Sequence, residues 1–128
     1  MPHLTIEYSS NLDALSDMQG LCICLRKALL DSGLFESGAV RVRALPCPYF
    51  AIADLLTENA FADMVLRIGQ GRSEADRKSI GIALMAVAET HFANLLARPH
   101  FALSLEVQEI SAAFSWKTNT IHPRLRKK

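Results

Sequence analysis

Polar and apolar residues alternate over the first eight positions, with His3, Thr5 and Glu7 on one side and Leu4, Ile6 and Tyr8 on the other. That period of two predicts a strand buried on one face. Ser9, Ser10 and Asn11 read as a turn or cap, and Leu21, Leu25, Ala28 and Leu29 then recur at intervals of three and four. They predict a helix over 13–31 with one apolar stripe, closed by Gly33, which accepts a left-handed backbone. Alternation returns over 39–45, where Val40, Val42 and Ala44 oppose Arg41 and Arg43, and Pro46 is expected to end the pairing because it has no N–H to donate. Residues 46–60 have no period and read as a connector.

The second half repeats the plan. Ala62, Met64, Leu66 and Ile68 alternate with Asp63, Val65 and Arg67 in a strand over 61–68. Ser73, with Asp76 three residues on, forms a variant capping box that starts a helix. Its stripe is Ile80, Leu84, Val87, His91 and Leu95, widened by Ala83, Ala86 and Phe92, and Arg98-Pro99-His100 breaks it. A last strand over 101–107 follows, then a short extra strand suggested by Phe114 and Trp116, and a basic end expected to be solvated and frayed. The expected fold is α+β: two strand–helix–strand units, about 2–46 and 61–108, form a four-stranded sheet with both helices on one face. One domain would span 1–128, with 109–128 as a C-terminal extension. Right-handed crossovers make each unit's strands parallel. The other sheet face would carry Thr5, Arg41, Arg43, Arg67 and Glu106 among Val65 and Ala102, a mixture that suits a subunit contact or a ligand pocket.

Composition narrows the function. Fourteen basic and thirteen acidic residues leave a formal charge of +1, which gives no global field toward nucleic acid or a membrane surface. Half of the residues are hydrophobic, too many for a disordered chain, yet no apolar run approaches the ~18 residues of a membrane span. Without a signal-like start the protein is expected in the cytoplasm. Cys22, Cys24 and Cys47 are an odd number with no metal-clip spacing, and they read as buried free thiols. His3, His91, His100 and His122 form no metal-ligand pair, so no metal is expected, and His91 reads as a packed, hydrogen-bonded residue.

Two features carry chemistry. Methionine before a small residue such as Pro2 is normally trimmed, which would leave a secondary α-amine at the start of an ordered strand. An α-amine titrates near pH ~8 and can act as a general base at neutral pH. Equally, Pro2 can simply begin an edge strand. Arg41 and Arg72, on a strand and at a helix start, could clamp a substrate with two carboxylates and keep that amine from rising in pKa. Alternatively, these arginines pair with Glu7, Glu106 or Asp63 across the sheet. The Gly69-Gln70-Gly71 loop entering a helix could also hold an anion on its amides.

Pro2-His3-Leu4-Thr5-Ile6-Glu7, Arg41-Val42-Arg43, Arg67-Ile68-Gly69-Gln70-Gly71-Arg72-Ser73, Thr90-His91-Phe92, Leu103-Ser104-Leu105-Glu106 and Asn119 together resemble the tautomerase superfamily. More narrowly, they resemble its 5-carboxymethyl-2-hydroxymuconate delta-isomerase family. The resemblance implies a homotrimer whose sheets line a central barrel, with active sites between subunits. It implies a cofactor-free 1,3-allylic shift in homoprotocatechuate catabolism, Pro2 as the acid–base group, and Arg41 and Arg72 on the carboxylates of a small di- or tricarboxylate substrate. Arg43 is a weaker candidate. A keto–enol tautomerase or decarboxylase of the same superfamily is the nearest alternative. From a different class, a non-catalytic ferredoxin-like binding module shares the order of elements.

Overall fold

The computed structural model describes residues 1–127. Strand β1 (His3–Ser9) buries Leu4, Ile6 and Tyr8 and leaves His3, Thr5 and Glu7 on its other side. A short 3-10 turn, Ser10–Ala14, follows, held where the Tyr8 hydroxyl donates to Asp13 at 2.7 Å. Helix α1 (Met18–Asp31) therefore starts later than periodicity suggested. The reason is chemical: Asp17 caps it by accepting from the Gly20 N–H at 2.9 Å, so residues 13–16 stay outside. Met18, Leu21, Leu25 and Leu29 form its buried stripe, and Gly33 at φ +72° ends it.

A second 3-10 turn, Ser37–Ala39, leads into β2 (Arg41–Cys47). This strand pairs with β1 straight through Pro46, which lies opposite Tyr8. The expected stop at Pro46 is corrected by the strand order: β2 is at the sheet's edge, where a missing N–H on the outer side costs nothing. Strand β3 (Ala60–Gly69), helix α2 (Glu74–His91), the single turn α3 (Ala93–Leu96) and β4 (Phe101–Ile110) complete the second unit. Ser73 caps α2 through the Asp76 N–H at 3.0 Å. The α2 stripe is narrower than expected: Ile80, Leu84 and Ala88 are buried, with Phe92 beyond them, while Ala83 and Ala86 face outward. The chain ends in α4 (Ile121–Arg126).

Strand order is β2-β1-β3-β4, with each unit's two strands parallel and the units joined antiparallel through β1 and β3. Each unit's strands are immediate neighbours. That excludes the interleaved ferredoxin-like sheet, in which a strand of one unit splits the other. Both helices cover one sheet face, where Leu4, Ile6, Met64 and Leu66 meet Leu21, Leu25 and Leu84 in one core. Among the described residues, no helix is long and apolar enough to cross a membrane.

The extra strand expected at Phe114 and Trp116 is absent; both side chains are largely exposed, because alternation without a neighbouring strand has no hydrogen-bond partner. The thiols are free, but Cys24 is exposed and Cys22 and Cys47 only half-buried, which corrects the expectation of burial. His91 is packed edge-on to Phe92 and shares a hydrogen bond of 3.1 Å with the Ser16 hydroxyl.

Leu84 is fully buried at the centre of this core, whereas Ile82 is 72% exposed on the same helix. Leu84→Ala is expected to lower unfolding free energy by about 2–5 kcal/mol in urea denaturation. Ile82→Ala should stay within about 0.5 kcal/mol of the parent; similar losses at both positions would contradict the assigned helix face.

Candidate active site

Because β1 is hydrogen-bonded along both edges, the residue that precedes it is held as firmly as the strand. Pro2 is buried there, and its carbonyl accepts from the Arg41 N–H at 3.2 Å. Beside it opens a cavity of about 460 Å³, within the usual range for small-molecule sites. Met1, Pro2, Leu34, Phe35, Arg72 and Lys117 line it, as do Glu36, Asn119, His122 and Arg126.

Arg72 reaches the cavity from the loop between β3 and α2. Its guanidinium donates to the Leu34 carbonyl at 3.0 Å and the Gly69 carbonyl at 3.3 Å, and stacks 4.6 Å from the centre of the Phe35 ring. These contacts fix its plane while using only two of its five N–H donors. Gly69 sits between two charges: a Cβ built on it would lie 3.8 Å from Arg72 Nη1 and 4.0 Å from the Met1 nitrogen. Arg41, at the start of β2, is tied to the Ala39 carbonyl at 2.7 Å and the Gly38 carbonyl at 3.4 Å. It flanks the cavity rather than lining it.

Carbonyls orient these guanidinium groups without neutralising them. Among the described residues no carboxylate lies within ion-pairing distance of Arg41 or Arg72. The expected alternative, pairing with Glu7, Glu106 or Asp63, is corrected by register. The open-face neighbours of Arg41 along the sheet are His3 and Arg67, whereas Glu7 and Asp63 sit further along and Asp63 accepts from Ser104. Arg43 donates to His3 Nδ1 at 3.2 Å on that open face, away from the cavity. Burial and then the charges of Arg43, Arg67 and Arg41 push the His3 pKa down, so the ring is a neutral acceptor.

The same positive field acts on the chain's first nitrogen. Partial burial, then the charges of Lys117, Arg72 and Arg41, hold the Met1 α-amine below its ordinary value of 8.0. The pocket thus disfavours an ammonium and attracts an anion. The loop before α2 offers no separate anion site, since Glu74 and Asp76 occupy its first turn and Ser73 takes the Asp76 N–H.

Periodicity left much of the cavity's lining unread. The C-terminal end is ordered through Arg126: its guanidinium grips Glu36 in a two-pronged pair at 2.6 and 2.5 Å, correcting the expectation of a frayed tail as far as that residue. Asn119 Nδ2 donates to the Gly38 carbonyl at 2.9 Å, and its Oδ1 accepts from the Ile121 and His122 N–H groups. Gly38 has to be small, because a Cβ there would come within 2.8 Å of His122 Nδ1. Lys117, His122 and Glu36 gave no spacing signal in the sequence, since no periodic pattern includes them and Glu36 meets its partner Arg126 from 90 residues away. Among the described residues no cluster of His, Cys, Asp or Glu is arranged to hold a metal.

Comparison with known proteins fits this geometry. The family model described as 5-carboxymethyl-2-hydroxymuconate isomerase matches residues 2–125. The 5-carboxymethyl-2-hydroxymuconate Delta-isomerase of Escherichia coli is 33% identical over 122 residues, covering 95% of this chain and 97% of that protein. The crystal structure of a 5-carboxymethyl-2-hydroxymuconate isomerase from Deinococcus radiodurans R1 superposes with a TM-score of 0.91 at 41% identity, over 98% of this chain and 94% of the other. A second crystal structure, of a 5-carboxymethyl-2-hydroxymuconate delta-isomerase, gives 0.87 at 34% identity over 98% and 93% of the two chains. With a matching family model along nearly its whole length and the same fold, this chain belongs to the 5-carboxymethyl-2-hydroxymuconate isomerase family.

Proposed function

We propose that this chain isomerises 5-carboxymethyl-2-hydroxymuconate to its unsaturated keto form without a cofactor, using Pro2 as the acid–base group after Met1 has been removed. The observation that carries the reading is that Pro2 and Arg72 line one cavity in which the chain's first nitrogen is held below its ordinary pKa. While Met1 is attached, the Pro2 nitrogen is a tertiary amide and cannot take a proton. Cleavage converts it to a secondary amine that remains inside the same positive field.

The reaction then needs one proton moved and none gained. The neutral Pro2 amine accepts the proton of the substrate's 2-hydroxyl. The freed electron pair forms the C2 carbonyl and shifts the conjugated double bond, and C5 takes the proton back from the Pro2 ammonium. Arg72 and Arg41 hold carboxylates and stabilise the negative charge that spreads through the dienolate. Conjugation makes the proton mobile, so no redox group or metal enters the scheme.

The functional unit on this reading is a homotrimer. Support comes from the open sheet face, where Val65 and Ala102 lie among Arg43, Thr5 and Glu106, and from the exposed Phe114 and Trp116. Closing three such faces around a barrel would bury apolar surface that one chain leaves in water.

Two outcomes are expected. Protein with a proline amino terminus, verified by mass spectrometry, should ketonise the substrate in an ultraviolet assay. A form that retains Met1 should lose about 10²–10⁴-fold in turnover, the usual worth of a positioned acid–base group; equal turnover in both forms would sink the mechanism. Light scattering should find three chains of 14.1 kDa in one particle, and a stable monomer or dimer would contradict the assembly.

A further inference from the structure

Between β4 and α4 the chain runs as a strap without helix or strand, tied at both ends. At its start the Ala112 N–H donates to the Gln70 side chain at 3.0 Å, and at its end Asn119 and Arg126 hold Gly38 and Glu36. Lys117 lies between these anchors. It lines the cavity that holds Pro2 and Arg72, and it also lines a neighbouring one of about 350 Å³ with His3, Arg67 and Gln70. The two cavities share Met1 and Lys117, so the lysine stands beside the chain's first residue at their junction.

Among the described residues no carboxylate comes within ion-pairing distance of Lys117. Glu36 is the acidic residue among those that line the larger cavity, and Arg126 already occupies both of its oxygens. Bringing Lys117, Arg72 and Arg41 toward one protonated amine is electrostatically unfavourable; loss of the amine's proton relieves part of the repulsion, and entering carboxylates would answer the remaining cations.

On the reading that this site isomerises a substrate with a carboxylate at each end and a third on a side branch, two arginines answer two of those charges. We propose that the Lys117 ammonium binds the third carboxylate, which makes it the residue that favours tricarboxylates over dicarboxylates at this site. A lysine suits the task, since its flexible stem carries a compact charge that can follow a branch whose position the reaction alters. The strap provides the precision the stem lacks. After burial, Lys117 is also the leading charge that lowers the pKa of the chain's first amine, so its loss should move the acid limb of the pH–rate profile to higher pH.

The test uses Lys117→Ala and Lys117→Arg in protein that starts at Pro2. Calorimetry would follow binding of two unreactive probes, propane-1,2,3-tricarboxylate and glutarate, alongside turnover of 5-carboxymethyl-2-hydroxymuconate and 2-hydroxymuconate. Lys117→Ala should weaken tricarboxylate binding about 10–100-fold, the worth of one charged hydrogen-bonded pair, and glutarate binding less than about 3-fold. Lys117→Arg should recover most of the loss. Similar losses on both probes, no loss on either, or no tricarboxylate binding by the parent protein would each overturn the proposal. If the binding discrimination depends on Lys117 but neither muconate is turned over, the proposed reaction fails and the carboxylate subsite stands. If both muconates react with unchanged relative efficiency in Lys117→Ala, and the probes show no discrimination, the subsite fails and the reaction stands.

Discussion

Everything at this site depends on β1 being paired along both of its edges. A strand bonded on one side can fray at its first residue, but β1 lies between β2 and β3, and the Pro2 carbonyl is tied to the Arg41 N–H. The start of the chain is therefore placed as securely as the core beneath it, where Leu4 and Ile6 are fully buried. Full burial of each such side chain contributes about 1.5–3 kcal/mol. An acid–base group on a side chain would have rotamers to lose, whereas a backbone nitrogen at the head of a central strand has almost none. On the mechanism proposed here, the fold orders the acid–base group first, and the chemistry draws on that order.

The second requirement is a positive field that no carboxylate among the described residues cancels. Register supplies it: His3 is flanked by Arg41 and Arg67, while the acidic residues of the open face fall further along the strands. Arg72 and Lys117, both outside the helices and strands, join from the cavity's lining. Each guanidinium is oriented by carbonyl oxygens, which fix direction and leave net charge in place. Partial burial adds to the effect by removing water that would otherwise screen these charges. Such a pocket destabilises its own ammonium and welcomes anions, and both tendencies serve the reaction proposed for it.

Most of the fold was legible in the sequence, for reasons visible in particular residues. The alternation of Leu4, Ile6 and Tyr8 and of Ala62, Met64, Leu66 and Ile68 is clear because helices cover only one sheet face. The α2 start was legible from Ser73 and Asp76, whose cap is local. Pro46 was misread because sequence alone does not say which strand is at the edge. Phe114 and Trp116 were misread because alternation records only facing, and a strand also needs a neighbour. The site was half legible: Pro2 and Arg72 meet in one cavity, but other parts of its lining depend on contacts such as Asn119 with Gly38 and Arg126 with Glu36, 81 and 90 residues apart. No local pattern encodes a contact of that kind.

The central claim is that the fold holds the amino-terminal nitrogen as a neutral amine near pH 7. Its most direct test is an NMR titration of the Pro2 nitrogen in ¹⁵N-proline-labelled protein from which Met1 has been removed, with no ligand bound. The account predicts a midpoint clearly below the ordinary α-amine value of ~8. A midpoint at or above that value would contradict it, because the fold would then not be holding the nitrogen as a neutral amine at neutral pH.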